Sequence, residues 1–256
     1  MKARLEFLYD GKVARVILAA PKANILDKTM VEELDAIFAQ LEPNRDLCAI
    51  VIAADGPHFS FGASVEEHLP GQIEGALARL GSLLRRIAAS PAPVIASVRG
   101  QCLGGGFELV LACDLIIAEE SAQFGAPEIK LGVFPPAASA LLPVRIGTAG
   151  AAALTLTGRS WSAIGAKQQG LVTRLSSDGL LDATLTEWLE EDFLPRSPAA
   201  LRHATRATRM AVVHALNDHL PEMDRLYLEE LMSEPDAVEG IRAFMEKREP
   251  KWSKKG

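Results

Sequence analysis

Three consecutive glycines, Gly104–Gly106, stand directly before an apolar segment, and this junction constrains the chain more than any other feature. The segment 108–112 (ELVLA) predicts a helix, so the glycines would lie at its positive N-terminal end. Because glycine has no side chain, the N–H groups at this corner are left unshielded. The corner can therefore hold a developing oxyanion, and Glu108, in the first turn of the predicted helix, would place its carboxylate near the same point.

A second acid, Glu128, follows twenty positions after Glu108. On one continuous helix the two acids would be about 30 Å apart. They can cooperate only if the chain runs as helix, strand and return. The apolar residues 115–118 (LIIA) predict the strand, and the loop 124–128 (FGAPE) supplies the return.

Composition limits the class of protein. With 256 residues and 48% hydrophobic content, the chain can bury a sizeable core, in one large domain or in a domain with a smaller appendage. The net charge of −6 argues against a nucleic-acid partner. The apolar runs fall short of the ~20 residues that cross a bilayer, and the N-terminus has no pattern of a signal sequence. We therefore expect a cytoplasmic protein without a membrane partner.

Cysteine and histidine spacing gives no support for a metal site. The three cysteines, Cys48, Cys102 and Cys113, are odd in number and form no CxxC pair, which favours reduced, buried thiols. His203, His214 and His219 fall on helical patterns without ligand spacing. We expect no bound metal.

The order of predicted elements indicates a spiral of repeated units. A hairpin over 3–9 and 13–19 opens the chain, and each later strand delivers a loop of small residues, followed by a helix, toward one shared site. The remaining elements up to the glycine corner are a helix that ends at Leu41 with Asp27 as its N-cap, a buried strand over 48–54, a helix over 72–89 and a strand over 91–98.

The second half of the chain is predicted to be largely helical. Only residues 171–175 favour an extended conformation. The change in pattern near residue 195 predicts a core of residues 1–194 that carries the site, and a helical module of residues 195–256 for oligomerisation or as a lid. The predicted helices cover 140–146, 149–157, 162–169, 180–193, 199–213, 217–232 and 236–247.

Three segments together resemble the crotonase, or enoyl-CoA hydratase/isomerase, superfamily: residues 59–64 (FSFGAS), 104–108 (GGGFE) and 124–128 (FGAPE). The resemblance covers nearly the whole chain. It implies an α/β fold, more closely an α+β spiral of ββα units, with a C-terminal helical module that forms trimers or dimers of trimers. It also implies an acyl-CoA thioester substrate, with coenzyme A entering as part of the substrate and no separate cofactor.

The same resemblance places the reaction machinery. The two backbone amides that bind the thioester oxygen fall on Ala63 and Gly105, and the two acids of family hydratases fall on Glu108 and Glu128. Each preorganised donor contributes about 3 kcal/mol to a transition state that carries charge on the carbonyl oxygen. One ionised and one protonated carboxyl group can together add water, which favours a hydratase; which glutamate takes which part stays open.

One segment departs from the pattern of family hydratases. Residues 134–139 (FPPAAS), including Pro136, stand where a glycine-rich stretch is usual, so the acyl pocket would be reshaped. With residues 59–70, this is most similar to the cyclohexa-1,5-diene-1-carbonyl-CoA hydratases of anaerobic benzoyl-CoA degradation. The alternatives are a straight-chain enoyl-CoA hydratase and a non-catalytic CoA- or RNA-binding member.

By the same resemblance, coenzyme A would be held near Lys22 and Ala23 and along Ser64 and Val65. Phe244 and Lys247 of a neighbouring subunit would reach its nucleotide. Lys22 is equally compatible with a solvated loop lysine, and Phe244 with simple helix packing. His58 and His68 flank the oxyanion loop and are candidate bases or mere loop contacts.

The sequence does not complete the motifs of two other protein classes. Residues 62–66 (GASVE) lack the closing glycine of the GxSxG nucleophile elbow. Residues 104–109 (GGGFEL) have leucine in place of the last glycine of the dinucleotide-binding GxGxxG. Neither a serine hydrolase nor a dinucleotide-binding protein is predicted.

Overall fold

The computed structural model describes residues 1–253 and contains two β-sheets wrapped by helices. A six-stranded sheet has the order β1-β2-β3-β4-β6-β9, and a three-stranded sheet has the order β5-β7-β8. The strands are β1 (Ala3–Leu8), β2 (Val13–Leu18), β3 (Ala49–Ala54), β4 (Val94–Val98), β5 (Gln101–Leu103), β6 (Leu115–Glu119), β7 (Gln123–Gly125), β8 (Ser160–Ser162) and β9 (Arg174–Ser176).

The helices join successive strands and then form the C-terminal part of the molecule. They are α1 (Lys28–Leu41), α2 (Ile73–Ala88), α3 (Gly105–Leu111), α4 (Pro136–Thr155), α5 (Ala163–Gln168), α6 (Leu181–Trp188), α7 (Pro198–Thr208), α8 (Met210–His214), α9 (Leu220–Arg225) and α10 (Pro235–Met245). Short 3₁₀ turns cover Glu66–His68, Pro127–Leu131 and Leu231–Ser233, and π-helical turns cover Leu189–Phe193, Ala215–His219 and Leu226–Glu230.

The predicted opening hairpin is confirmed: β1 and β2 pair antiparallel, with Ala3 opposite Leu18. Every later pairing in the large sheet is parallel. Each of β4 and β6 is followed at once by a short strand of the second sheet, β5 or β7. The chain thus advances as a spiral whose turns at β4 and β6 each add one long and one short strand.

Alternation along β3 explains why its sequence is apolar throughout. Ile50 and Ile52 pack into the main core beneath the helices, while Val51 faces a second core on the opposite side of the sheet. A parallel strand that is covered on both faces needs apolar residues at every position. Helix α6 supplies the cover on the second face through Leu185 and Trp188.

Several sequence-based boundaries were wrong. Strands β5, β7 and β8 were not predicted, because three residues are too few to show a two-residue period. The extended segment predicted at 171–175 lies further along, as β9. The helices predicted over 140–146 and 149–157 form one element, α4, which begins earlier, at Pro136, and which Gly147 interrupts with a non-helical backbone at φ 74°.

Helix α4 is long and apolar enough, by length and composition, to cross a membrane. It nevertheless buries Leu141, Leu142 and Leu154 in the main core, and it is broken at Gly147. Arg145 on the same helix donates hydrogen bonds to the carbonyl of Leu111 at 2.8 and 3.0 Å. These are the contacts of a core helix.

The C-terminal helices pack into the main core through Val212, Leu216 and Leu220. Arg209 ties them to the sheet: its guanidinium donates to Asp114 at 2.6 and 2.7 Å and is only 5% exposed. The division into residues 1–194 and 195–256 stays a prediction, and the last three residues of the second unit lie outside the described residues.

Candidate active site

The loop that carries Ala63 is held by a buried polar network. The Ser60 hydroxyl donates to the Asn24 carbonyl at 2.8 Å and accepts from the Gly62 N–H at 3.0 Å. The Asn24 side chain in turn donates to the carbonyls of Asp55 and His58. Both ends of the loop are thereby fixed with little exposure, since Ser60 is fully buried.

The same loop lies directly against the glycine corner. A Cβ at Gly105 would lie 3.2 Å from the amide nitrogen of Ala63, and a Cβ at Gly62 would lie 3.0 Å from the Leu103 carbonyl. Gly62 also has φ 106°, a conformation that L side chains rarely adopt. Only glycine lets the two backbones approach this closely.

The two predicted oxyanion amides are therefore neighbours. Within residues 1–253, the Ala63 and Gly105 N–H groups have no hydrogen-bond acceptor: Leu26 pairs with this loop through the Gly62 carbonyl, and Gly105 is the first residue of α3. Two free amides beside one cavity form a donor pair for a carbonyl oxygen. Their role as oxyanion donors stays a prediction.

Glu108 lies on α3 in its first turn, as predicted, and is 5% exposed. Its carboxylate accepts a hydrogen bond of 2.9 Å from the Ala138 N–H at the start of α4. Burial raises the pKa of Glu108 to about 7; hydrogen bonds from Ala138 and Ala137 lower it, and the charge of Asp224 raises it further. The group therefore titrates near neutrality.

Glu128 reaches the same place through the small sheet. Pairing of β5 with β7 sets Leu103 opposite Gly125, and the Gly104 N–H donates to the Gly125 carbonyl at 2.9 Å. Glu128 follows in the next turn, and a Cβ at Gly104 would lie 2.8 Å from its carboxylate. The predicted sequence of helix, strand and return is confirmed, and the unpredicted pairing of β5 with β7 is what closes it.

The carboxylate of Glu128 is poorly solvated although part of the residue is exposed. Its Oε2 atom is buried and has no hydrogen-bond partner in the described part of the chain. Burial, followed by repulsion from Glu108, raises the pKa of Glu128 to about 8. One proton shared by two such groups is the charge state that general acid–base chemistry requires at neutral pH.

Both acids and both amide-bearing residues line one cavity of about 90 Å³, enough for several water molecules. Val65 and Pro136, two of the predicted substrate-binding residues, line it as well. The rest of the wall is largely apolar, with one polar cluster at Glu67, His68 and Arg79. The other lining residues are Leu26, Val31, Phe61, Gly62, Ala76, Leu77, Leu80, Gly104, Pro127, Leu131, Phe134 and Pro135.

The remaining predicted coenzyme A residues do not line this cavity. Lys22 and Lys247 are exposed, and Phe244 on α10 is 57% exposed. Ala23 contributes its carbonyl to the loop, accepting from the Phe61 N–H, and the Ser64 carbonyl is a partner of His68. None of the five lines the cavity within residues 1–253, and their contact with coenzyme A stays a prediction.

The two histidines beside the loop differ. His58 accepts a hydrogen bond from the Gln101 N–H at 3.2 Å and holds the loop. His68 lines the cavity; its Nδ1–H donates to the Ser64 carbonyl at 2.9 Å, and burial lowers its pKa. Among residues 1–253, no three His, Cys, Asp or Glu side chains are grouped to hold a metal ion.

Sequence reasoning missed Ser60 and Asn24. Both act through hydrogen bonds to backbone atoms that are 31 to 36 positions away, apart from local contacts to Gly62 and Ala20. The signal that could have found Ser60 is its place in residues 59–64, two positions before Gly62.

Comparison with known proteins places this geometry in a family. The model of the enoyl-CoA hydratase/isomerase family matches residues 9–255. The chain belongs to the enoyl-CoA hydratase/isomerase family. A family member from Thauera aromatica, described as cyclohexa-1,5-dienecarbonyl-CoA hydratase, is 44% identical over 95% of this chain and 93% of its own length. A probable enoyl-CoA hydratase from Bacillus subtilis is 35% identical over 95% of this chain and 96% of its own length.

Solved structures of family members confirm the fold. An enoyl-CoA hydratase from Mycobacterium avium subsp. paratuberculosis superposes with a TM-score of 0.87 at 25% identity, covering 99% of both chains. One from Bacillus anthracis is 31% identical with a TM-score of 0.78, over 98% of this chain and 99% of that chain. The predicted α/β spiral of the enoyl-CoA hydratase/isomerase family is confirmed, and so is the prediction of an enzyme of the hydro-lyase class.

Proposed function

We propose that the enzyme hydrates a conjugated cyclic dienoyl-CoA, converting cyclohexa-1,5-diene-1-carbonyl-CoA to 6-hydroxycyclohex-1-ene-1-carbonyl-CoA in anaerobic benzoyl-CoA degradation. The observation that carries the proposal is the pair Glu108 and Glu128, desolvated in one cavity beside two free amides. The 44% identity with the Thauera aromatica protein supports the ring substrate.

The reaction would proceed as a 1,4-addition. The ionised carboxylate of the pair takes a proton from water as its oxygen bonds to the β carbon, and the electrons of the diene shift. The protonated carboxyl returns a proton to the far end of the diene, leaving one ring double bond conjugated to the thioester. The Ala63 and Gly105 N–H groups bind the oxygen of the intermediate dienolate.

The shape of the cavity wall favours a ring over a straight chain. Phe134, Pro135 and Pro136 all line the cavity, and proline fixes the backbone where it occurs. Phe61 also lines the cavity. Rigid, bulky residues around the acyl position suit a flat, compact group.

The decisive experiment is a paired hydration assay with cyclohexa-1,5-diene-1-carbonyl-CoA and crotonyl-CoA. A higher kcat/KM for the ring diene is expected. Preference for crotonyl-CoA would make the protein a general enoyl-CoA hydratase, in line with its Bacillus subtilis relative. In deuterated water, deuterium at the far end of the diene is expected, and deuterium at the α carbon would contradict 1,4-addition.

We further propose that the protein acts in the cytoplasm as a trimer or a dimer of trimers. Lys22, Ala23, Ser64 and Val65 would hold coenzyme A, with Phe244 and Lys247 of a second copy at the nucleotide. The exposed Phe244 side chain is consistent with that contact. Sedimentation with and without substrate, for the wild type and Phe244→Ala, tests the assembly and the contribution of this side chain.

A further inference from the structure

Tyr227 is a buried phenol that the reaction described above does not use. It lies in the turn Leu226–Glu230 between α9 and α10, and it is 1% exposed. Its hydroxyl is buried without a hydrogen-bond partner in residues 1–253. Leaving a buried hydroxyl unpaired costs about 1–3 kcal/mol, so a tyrosine kept here needs a reason.

The ring packs against the wall of the active-site cavity. Tyr227 meets the edge of Phe134 with ring centroids 5.4 Å apart, and Phe134 lines the cavity. Val65, Leu77 and Leu131, which also line it, pack against the same buried cluster as Tyr227. Tyr227 itself does not line the cavity, and its ring lies in the layer of side chains that supports this wall.

The negative charges of Glu108 and Glu128 both act on the pKa of the Tyr227 phenol. Burial, then the negative charge of Glu128 and that of Glu108, raise the pKa of Tyr227 above its ordinary value. The Tyr227 hydroxyl therefore stays protonated at neutral pH and can donate a hydrogen bond. Of the three buried side-chain polar atoms without partners in the described residues, two belong to this region, the Tyr227 hydroxyl and Glu128 Oε2.

We propose that Tyr227 is a positioning residue whose hydroxyl, together with Glu128 Oε2, holds the water that is added to the substrate. The water accepts a hydrogen bond from the phenol and donates one to Glu128. This leaves its second lone pair for the β carbon. The inference rests on the proposed hydration and extends the site to the C-terminal helices.

The surrounding charges decide how the pH profile should respond. Glu108 on α3 faces Glu128, and Asp224 on α9 raises the pKa of Glu108. The cavity wall adds His68 and the ion pair of Glu67 with Arg79. A donor acting through the water stabilises the negative charge that Glu108 and Glu128 share and lowers the apparent pKa of the pair, so loss of the hydroxyl should move the acid limb of kcat/KM to higher pH.

The kinetic test is Tyr227→Phe, with Tyr9→Phe as the matched control. Tyr9 is the chain's other tyrosine, and its hydroxyl pairs with Glu190 outside the cavity. Tyr227→Phe should lower kcat about tenfold or more, change KM by less than about threefold, and shift the acid limb upward. The denaturant midpoint of unfolding should change little, because Tyr227→Phe keeps the packed ring and the hydroxyl bonds no protein group within residues 1–253. An unchanged kcat and pH profile would overturn the inference.

A second measurement uses the native tyrosine and needs no turnover. In the Tyr9→Phe protein labelled with [ζ-¹³C]tyrosine, Tyr227 gives the single tyrosine resonance. Its shift should follow the titration of the acid pair, and the step should change when Glu128→Gln is added. A pH-independent resonance overturns the coupling of the phenol to Glu128. If the wild type hydrates neither thioester, the proposed function fails, and this titration still decides the contact.

Discussion

Glu108 and Glu128 meet across one cavity although twenty positions separate them, and the charge of Glu108 raises the pKa of Glu128. Each residue comes from a different turn of the spiral, one from the first turn of α3 and one from the turn after β7. Because both are removed from bulk water, the pair retains a proton near neutral pH. This arrangement supports addition of water rather than simple binding of an anion.

Removing either carboxyl group should stop catalysis with the fold intact. Glu108→Gln and Glu128→Gln preserve the size of the side chain. At position 108, glutamine also keeps an oxygen that can accept from the Ala138 N–H. We expect kcat for dienoyl-CoA hydration to fall about 10²- to 10⁴-fold in each variant. Glu120→Gln, at an exposed position, is the control. A variant of either acid that keeps more than a tenth of the wild-type kcat would exclude that acid from proton transfer.

The raised pKa of Glu128 predicts how stability depends on pH. The folded state binds more protons than the unfolded state between the ordinary pKa of 4.5 and about 8. Glu128 is therefore neutral and tolerated at low pH, and the free energy of unfolding should fall as pH rises through this range. Urea unfolding at pH 5 and pH 9 should show a loss on the order of a few kcal/mol that is smaller in Glu128→Gln. Equal pH dependence in both proteins would contradict the shift.

Gly104 should be irreplaceable for activity. It has φ 51°, and a Cβ there would lie 2.8 Å from the Glu128 carboxylate. Gly104→Ala should therefore displace the carboxylate and lower kcat about 100-fold. Gly11→Ala is the matched control, because Gly11 has φ 84° with no atom within 4 Å of the added Cβ. Both variants place alanine at a positive φ, and Gly104→Ala carries the larger backbone strain because its ψ of −129° lies outside the left-handed helical region, so kcat is compared per folded protein. Equal activity of the two would show that Glu128 can move freely.

Ser60 should act on catalysis through the Ala63 amide. Ser60→Ala removes the hydroxyl that accepts from the Gly62 N–H and donates to the Asn24 carbonyl. Gly62 directly precedes Ala63, so the loss of this anchor should displace the Ala63 amide. We expect kcat to fall about 10- to 100-fold with a smaller change in KM. The absorption red shift of a bound conjugated acyl-CoA, which reports carbonyl polarisation, should shrink in parallel. Ser90→Ala, which removes a hydroxyl bonded to the Arg86 carbonyl, is the control. A full red shift in Ser60→Ala would rule out this role.

Local sequence patterns correctly predicted the features whose interactions lie within a few consecutive residues. Asp27 caps α1 as predicted, accepting from the Met30 N–H at 3.0 Å, and β3 lies one residue from its predicted start. The glycine corner and the first-turn position of Glu108 are also confirmed. In each case the physical cause, a cap, a buried strand or a helix N-terminus, is contained within a few consecutive residues.

Contacts between residues far apart in the sequence could not be predicted from such local patterns. The pairing of β5 with β7 places Glu128 at the corner, yet neither strand exceeds three residues. Tyr227 comes from a helical segment about 100 positions after Glu128, with no pattern that marks its hydroxyl as unpaired. Such relationships depend on which surfaces meet after the chain has folded.

The sequence by itself determined the donors and the acids: glycines that expose amides, and two carboxyl groups at fixed positions. Only the tertiary structure decided their strength. Burial in one cavity raises the pKa of Glu108 to about 7 and that of Glu128 to about 8. Folding also packs Tyr227 against Phe134 in the wall of that cavity. The physical reason is that residue type sets which proton can move, while desolvation and neighbouring charge, which exist only in the folded chain, set the pH at which it moves.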